Sequence, residues 1–526
     1  MPLLTADKLY QLLASRFCDG YKRLKDIPSP ALLKNSGQAA KRIAKAILNK
    51  ENITLIGDYD VDGVTSTSIM VLFFREINYP LTAIIPNRFS DGYGISANVL
   101  KRVDADLVIT VDNGITAIEA AQICKERGID LIITDHHTPS EQLPDAYAIV
   151  NPKLDRCAYP FKEICGAQVA WLLLGLVKQE LGADIDMKQY LDLVALAVVA
   201  DVMPLYDINR AIVQEGLKQM MISSRPSSII IREFLNKDAL SSEDIAFAIA
   251  PRINSAGRLE DASIALEFLT ASTVDVAAKQ FEILNNLNNI RKATEADTTE
   301  IACLHVNKDD KIIVVAGENW HEGVVGIVAS RLVNQFKKPA IVLNVHGDEA
   351  KGSARSIGEV DIFSLINSQK KLLSKFGGHK MAAGMSLHVS NIEQFKKAIN
   401  EEALKIDPND FIPKEDILGE LQSDAINFEI LDILEQFEPY GEGNPRPRFL
   451  INNADLLHVR LFGADKSHSR LTLRLKPYER QTVEIVAFRQ VLEVPEDKKI
   501  TCSYTINKNV FNGKSSIQMM LDSIYR

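Results

Sequence analysis

The chain has 526 residues, of which 46% are hydrophobic and 25% charged, and its formal net charge is -9. That balance excludes a mainly disordered chain, and at ~100–200 residues per domain it predicts three or four folded units. Averaged over the surface, the negative charge argues weakly against a nucleic-acid partner. Residues 441–480 nevertheless hold eight Lys/Arg (446, 448, 460, 466, 470, 474, 476 and 480) against four acids, a basic region within an acidic protein.

No stretch approaches ~20 uninterrupted apolar residues, and residues 1–23 are amphipathic without the pattern of a secretory signal, which predicts a cytoplasmic protein with no membrane association. The six cysteines, at 18, 124, 157, 165, 303 and 502, form no CxxC pair and read as reduced thiols, so structural zinc is not expected.

In chain order, residues 1–50 read as an N-terminal helical segment. Apolar runs then recur at 53–57, 81–85, 107–111, 131–134 and 148–150, with helical segments such as 64–77 and 115–127 between them. Strands this apolar are buried on both faces, and the alternation predicts a doubly wound parallel sheet over 51–257. From Arg258 to Ala316 there is neither Gly nor Pro, which predicts a long connecting helix within 258–308. A smaller α/β unit is expected over 309–408, from apolar strands at 311–316, 339–343 and 385–389 and helices near 323–335 and 361–373. After that the pattern turns to about five short strands, and an OB-type β-barrel is expected over 409–526.

The first strand runs into Asp58-Tyr59-Asp60-Val61-Asp62-Gly63. Carboxylates at i, i+2 and i+4 of an extended segment project to one side, and such repulsion is relieved most simply by a divalent cation. Asp62, at the turn, is alternatively a helix cap. An EF-hand loop would need a bidentate Glu at its twelfth position, where Ile69 stands, and neither GxGxxG nor GxxxxGK is present. The third strand ends at Asp112-Asn113-Gly114 and the fourth at Asp135-His136-His137. A lone Asp at a strand end is ordinarily a helix cap, but the carboxyl ends of parallel strands line one crevice, so these groups are expected to meet. Asp201, after the apolar run 193–200, is a further acid in need of a partner. Mixed carboxylate and imidazole donors suit Mn²⁺ or Mg²⁺, and His321-Glu322 lacks the second His of a zincin motif.

DYDVDG, VDNG, DHH and VVADVMPL resemble, in order and spacing, the four motifs of the DHH phosphoesterase superfamily. GSARS (352–356) and GGHKMAAG (377–384) resemble its DHH-associated domain, and PRINSAGR (251–258) and WHEGVVGIVASR (320–331) resemble segments of the RecJ-type exonucleases. The resemblance implies that Asp58, Asp60, Asp112, His136 and Asp201 ligate two Mn²⁺ or Mg²⁺ ions, with Asp112 bridging. Asp62, Asp135 and His137 would support them, His137 facing the scissile phosphate, while Ile56 replaces a His ligand of some members. Arg88, Arg258, Ser353 and Arg355 would bind phosphate oxygens, and Gly377, Gly378 and His379 would form a backbone nest beside the scissile group.

The function implied is 5′ to 3′ hydrolysis of single-stranded DNA in recombination and repair, by a monomer working with single-strand-binding protein and a RecQ-type helicase. Some members carry another C-terminal domain, which this chain is expected to lack. The alternatives are a short-oligonucleotide or cyclic-dinucleotide phosphodiesterase of the same superfamily, or a non-catalytic Cdc45-like scaffold.

Overall fold

The computed structural model describes residues 3–17, 20, 22–413, 416–422, 425–463, 465–475, 482–493, 498–511 and 514–525. Cys18, and Lys476, Tyr478 and Arg480 of the basic stretch, lie outside these.

The first sheet is parallel throughout, in the spatial order Thr82–Ile84, Ile53–Ile56, Leu107–Val111, Asp130–Thr134, Ala148–Val150. Its inner strands are buried on both faces, and strand alternation divides them between two cores. Leu55, Ile109 and Val111 join a large core with Phe73, Leu173 and Ala39. Ile56, Val108 and Ile133 join a smaller one with Val99 and Ala120. The helix Val61–Glu76 is buried almost all round, because it lies between the sheet and the helices Gly166–Leu181 and Leu191–Ala200. The chain leaves Ile53–Ile56 toward one edge and returns on its other side as Leu107–Val111. The crevice of the sheet therefore opens between the carboxyl ends of these two strands.

The helix Val274–Leu304 has 31 residues, a span of about 46 Å, capped by Thr273, whose hydroxyl accepts from the Val276 amide. It leads to the second sheet, in the order Lys375–His379, Ala382–His388, Glu349–Arg355, Ala340–His346, Ile313–Glu318, antiparallel except for the last pair. Two of these strands, Glu349–Arg355 and Lys375–His379, carry small and polar residues and have no apolar pattern to reveal them.

In the third unit Arg448–Phe462 pairs with both His468–Arg474 and Lys499–Phe511, and Thr482–Ala487 and Lys514–Tyr525 complete the ring, so five strands close a barrel. Residues 1–50 do not behave as one segment. Helix Ser36–Asn49 packs on the first sheet. Leu3–Leu4, by contrast, pairs in parallel with Ile417–Leu421, and the adjoining helix Ala6–Ala14 sinks Leu9 and Leu13 into the barrel's core. Two leucines at i and i+4 give a face that needs a partner, and the barrel supplies it.

Leu9 is fully buried there, so Leu9→Ala is expected to destabilise the chain by about 2–5 kcal/mol. Hydrogen exchange should locate the loss in the barrel strands and leave the first sheet protected.

Candidate metal centre

Asp58 follows the first strand, buried at its end, while Asp60 is the N-cap of Val61–Glu76, with Oδ1 accepting from the Gly63 amide at 3.0 Å. Capping thus falls to Asp60 and not to Asp62. Asp62 lies inside the first helical turn and accepts from the Gly166 amide (2.6 Å) and the Ala167 amide (2.8 Å) at the start of Gly166–Leu181. A helix N-terminus offers unpaired amides and a positive dipole end, which suits this carboxylate. The three acids therefore lie on a strand-to-helix turn and the helix that follows it, and not along one side of an extended segment.

Asp112 ends its strand with a φ of 63°. Gly166 leaves room for it, since a Cβ there would stand 2.6 Å from Asp112 Oδ1. His136 is the hub: its Nε2 lies 3.2 Å from Asp112 Oδ1, 3.5 Å from Asp201 Oδ2 and 3.7 Å from Asp62 Oδ2. Asp201 caps the C-terminus of Leu191–Ala200. Donor atoms gather in three groups, each within 4.8 Å: Asp58, Asp60 and Asp112; Asp62, His136 and Asp201; and Asp112, His136 and His137. Asp112 belongs to two of them. Ile56 is turned into the smaller core and offers nothing to the site.

Asp58 Oδ1, Asp112 Oδ1, both His136 ring nitrogens and Asp201 Oδ2 are buried without a hydrogen-bond partner among the described residues. Unsatisfied buried polar atoms are rare and each costs about 1–3 kcal/mol. Several of them gathered together fit a cation site, and hard carboxylate oxygens with imidazole fit Mn²⁺ or Mg²⁺.

The electrostatics agree. Burial first, then Asp60, pushes the Asp58 carboxyl well above the usual range; burial, then Asp62, Asp60, Asp58 and Asp201, does the same to Asp112. Burial and the charge of Asp62 raise Asp60, and with Asp60 they push Asp201 up to about 9. Burial holds His136 below its ordinary value, hence neutral and able to ligate.

Asp135 and His137 behave differently. Burial alone would raise the Asp135 carboxyl, but the hydrogen bond and charge of His137 bring it below the usual range; burial would lower His137, but the 2.8 Å bond from Nδ1 to Asp135 takes it to about 9. Asp135 also accepts from the amides of His136, His137 and Ile115, at 2.7, 3.0 and 2.9 Å. It is a charged anchor under the loop, set apart from the unpartnered cluster.

Sequence reading missed the Gly166 and Ala167 amides, for which no side-chain signal exists. It also missed Tyr93, whose hydroxyl donates to the Asp112 carbonyl at 3.2 Å and whose ring meets His137 edge-on at 6.2 Å. Asn113, though noticed, gained no role. Its side-chain amide donates to the Ile56 carbonyl at 3.1 Å and accepts from the Ile95 amide at 3.0 Å, tying the two crevice strands together.

Arg88, Ser353 and Gly377 line one cavity of about 400 Å³ between the first and second units, with Lys351 and Lys375. Arg258 donates to the Gly323 carbonyl at 3.2 Å and Arg355 to the Ala354 carbonyl at 2.8 Å. Burial lowers both guanidinium groups, Arg258 to about 10, with the positive charges of Arg88 and Arg291 adding to it. None of Arg88, Arg258 and Arg355 has a carboxylate within ion-pair distance among the described residues. Gly377, Gly378 and His379 form no nest: they run as a strand in register with Gly384, Ala383 and Ala382, so their backbone belongs to an antiparallel ladder. Gly378 and His379 are exposed there, and no hydrogen bond joins the His379 ring to any described residue.

A larger cavity, about 1460 Å³, lies where the sheet domain, the long helix, the second unit and the barrel face one another, lined among others by Phe247, Arg258, Arg291, Lys292, Arg331 and Arg489. Of the basic stretch in the barrel, Arg446 is spent on Glu243 (2.7 Å) and Glu438 (3.2 Å). Arg460, Lys466 and Arg474 are exposed. Phe449 is core, whereas Phe462, His468 and Phe488 form a ring cluster with centroids 5.2–5.9 Å apart and Arg470 over Phe462 at 5.6 Å.

A parallel sheet pooling carboxylates and imidazoles at its strand ends, joined by a long helix to a second sheet, defines the DHH class. Residues 52–198 match the DHH family N-terminal domain, 309–405 the DHHA1 domain and 417–523 the RecJ OB domain. The chain is 36% identical over 511 residues to the single-stranded-DNA-specific exonuclease RecJ of Bacillus subtilis, covering 94% of this chain and 64% of that protein. It is 33% identical to the protein of the same description from Haemophilus influenzae, covering 96% of this chain and 92% of that one. A crystal structure of RecJ in complex with Mn²⁺ from Thermus thermophilus superposes with a TM-score of 0.81 at 30% identity, over 95% of this chain and 73% of that one. The chain belongs to the RecJ family of single-stranded-DNA-specific exonucleases. No helix among the described residues is long and apolar enough to cross a membrane.

The His137–Asp135 pair yields a pH prediction. His137 is raised from 6.5 to about 9, so its pairing stabilises the fold fully below pH 6.5 and that stabilisation is lost as pH rises through about 9. In EDTA, Asp135→Asn should bring the His137 titration, followed by NMR, back toward 6.5 and flatten the stability loss between these limits relative to the parent chain.

Proposed function

We propose that the chain hydrolyses single-stranded DNA from the 5′ end, with two divalent ions held by Asp58, Asp60, Asp112, His136 and Asp201 and with Asp112 shared between them. The observation that carries this is the set of buried, unpartnered donor atoms around His136. When bound, Mn²⁺ or Mg²⁺ supplies Lewis acidity, neutralising phosphate charge and acidifying water.

The chain's own residues do the rest. Asp62, held by two helix-terminal amides, keeps the helices Val61–Glu76 and Gly166–Leu181 in register around the ligands. His137, partly exposed and kept protonated by Asp135, donates a hydrogen bond to a phosphate oxygen of the scissile group. Arg88, Ser353 and Gly377 offer a pocket of the size and charge for a terminal phosphate, with Arg355 two residues along the strand from Ser353 and Arg258 in the larger cavity. The larger cavity, where Arg258, Lys292 and Arg489 stand beside exposed Phe247 while Arg291 and Arg331 pair with Glu295, suits a flexible single strand, and the arginine and ring cluster on the barrel suits its bases. A barrel of this kind favours a chain-like substrate over a cyclic dinucleotide, and the full set of acids favours an enzyme over a scaffold. A single-strand-binding protein and a RecQ-type helicase as associates, a monomeric state, a cytoplasmic location and roles in recombination and repair are proposed on the family resemblance.

The deciding experiment uses end-labelled single- and double-stranded DNA and RNA with Mn²⁺ or Mg²⁺. Mononucleotides should be released from 5′ ends of single-stranded DNA, and intact substrates throughout would refute the reading. Asp112→Ala should reduce hydrolysis to background while gel-shift affinity for a single strand largely survives. Arg355→Ala should reduce the preference for a 5′-phosphorylated over a 5′-hydroxyl end by about tenfold, the worth of one charge-assisted hydrogen bond.

A further inference from the structure

The segment after Asp201 is built against its own sequence. Helix Leu191–Ala200 closes with the Met203 amide on the Val198 carbonyl at 3.0 Å and the Val202 amide on Val199 at 3.3 Å, the pattern of a left-handed helix stop. The residue placed in the left-handed position is Val202, at φ 55°. Glycine is the usual occupant, and a β-branched side chain is an outlier at positive φ. Val202 makes up for nothing by packing, being 62% exposed. Yet this turn decides where the Asp201 carboxylate points.

What holds the turn comes from the far end of the chain. The loop between Phe437 and Arg446, at the base of the barrel, is rigid in itself: Gly441 and Asn444 exchange backbone hydrogen bonds at 3.0 and 3.2 Å, and the fully buried Asn444 side chain donates to the Phe437 and Pro439 carbonyls at 2.9 Å each. The Glu442 carbonyl accepts from the Leu205 amide at 2.7 Å. A Cβ on Gly441 would stand 2.7 Å from Leu205, and one on Gly443 would stand 2.8 Å from the Tyr206 ring and 3.2 Å from Pro204. The loop is anchored on the sheet domain around this contact. Arg210 donates to the Glu438 carbonyl at 2.8 Å, Ser242 to the Tyr440 carbonyl at 2.6 Å, and Arg446 pairs with Glu243 at 2.7 Å. On its inner side the turn is fixed by Asn209, which donates to the Pro204 carbonyl at 3.0 Å.

We propose that the loop Phe437–Arg446 is a positioning element of the metal centre. By gripping Pro204–Tyr206 it keeps the strained turn at Val202 closed, and so holds Asp201 over His136. The proposal rests on the reading of Asp201 as a metal ligand. Its consequence is a coupling between barrel docking and cation affinity. By linkage the coupling is reciprocal: a bound cation tightens the docked loop by the factor by which docking tightens the cation.

The test measures Mn²⁺ binding directly, by electron paramagnetic resonance titration of the full chain. Gly443→Val, which pushes the loop off Tyr206 and Pro204, is expected to weaken binding by about fivefold or more. Adding Val202→Gly, which lets the turn close without support, should recover most of that loss. Rescue of this kind would not follow from a general loss of packing. If Gly443→Val does not fold, Arg446→Gln loosens the loop without touching the turn and should shift binding in the same direction. In the parent chain, Mn²⁺ should slow hydrogen exchange at the Leu205 amide and over residues 441–444, and Asp201→Asn should abolish that protection. Unchanged Mn²⁺ affinity in the folded loop variants, no rescue by Val202→Gly, or no added protection would each overturn the proposal. If Asp201→Asn itself leaves Mn²⁺ binding unchanged, the ligand reading fails. If it weakens binding while the loop variants do not, only the coupling fails.

Discussion

Mutual repulsion among Asp58, Asp60, Asp62, Asp112 and Asp201 is the constraint on which the rest of the structure turns. Two unit charges ~4 Å apart at an effective dielectric near 20 interact by about 4 kcal/mol, and a domain's whole stability is only about 5–15 kcal/mol. Five acids cannot be ionised together in such a space without compensation, so burial and neighbouring charge drive Asp58 and Asp112 far from their usual range. The fold meets the problem in two ways. It gives Asp62 the amides of a helix terminus and Asp135 its own imidazolium, and leaves Asp58, Asp112 and Asp201 with atoms that no described residue satisfies. Such unsatisfied oxygens are what the proposed cation site rests on.

Much of this was legible in the sequence, for identifiable reasons. The parallel strands declare themselves because burial on both faces demands continuous apolar runs such as LVITV at 107–111. The long helix shows because Gly and Pro are absent over 274–304. Acids at several strand ends point to one crevice because sheet topology brings such ends together. What stayed hidden shares a different character. Glu349–Arg355 and Lys375–His379 are polar strands at the edge or in the middle of a small sheet, held by backbone ladders that leave no side-chain signature. The nest expected at Gly377–His379 dissolves for the same reason. Asp58, Asp60 and Asp62 were expected along one side of an extended segment, but the chain enters a helix at Val61, which puts Asp62 with His136 and Asp201 and leaves Asp58 and Asp60 with Asp112.

Basic residues show the same limit more sharply. A run of Lys and Arg in sequence says nothing about which ones face solvent. Arg446, within the run, is consumed by Glu243 and Glu438 in joining two units, while Arg258, outside it and without a carboxylate in ion-pair distance among the described residues, lines the cavity of about 1460 Å³. Net charge is a property of the whole surface, and the cavity that matters can carry the opposite sign.

The pairing of Leu3–Leu4 with Ile417–Leu421 bears on how the molecule comes into being. The strand partner and the barrel core that bury Leu9 and Leu13 are synthesised about 400 residues later, which at ribosomal speed is a wait on the order of 20–80 s. Throughout that interval a greasy helical face is on display while the sheet domain beside it can already collapse. Its capture is among the last acts of assembly, and until then the nascent polypeptide offers a ready foothold to a chaperone.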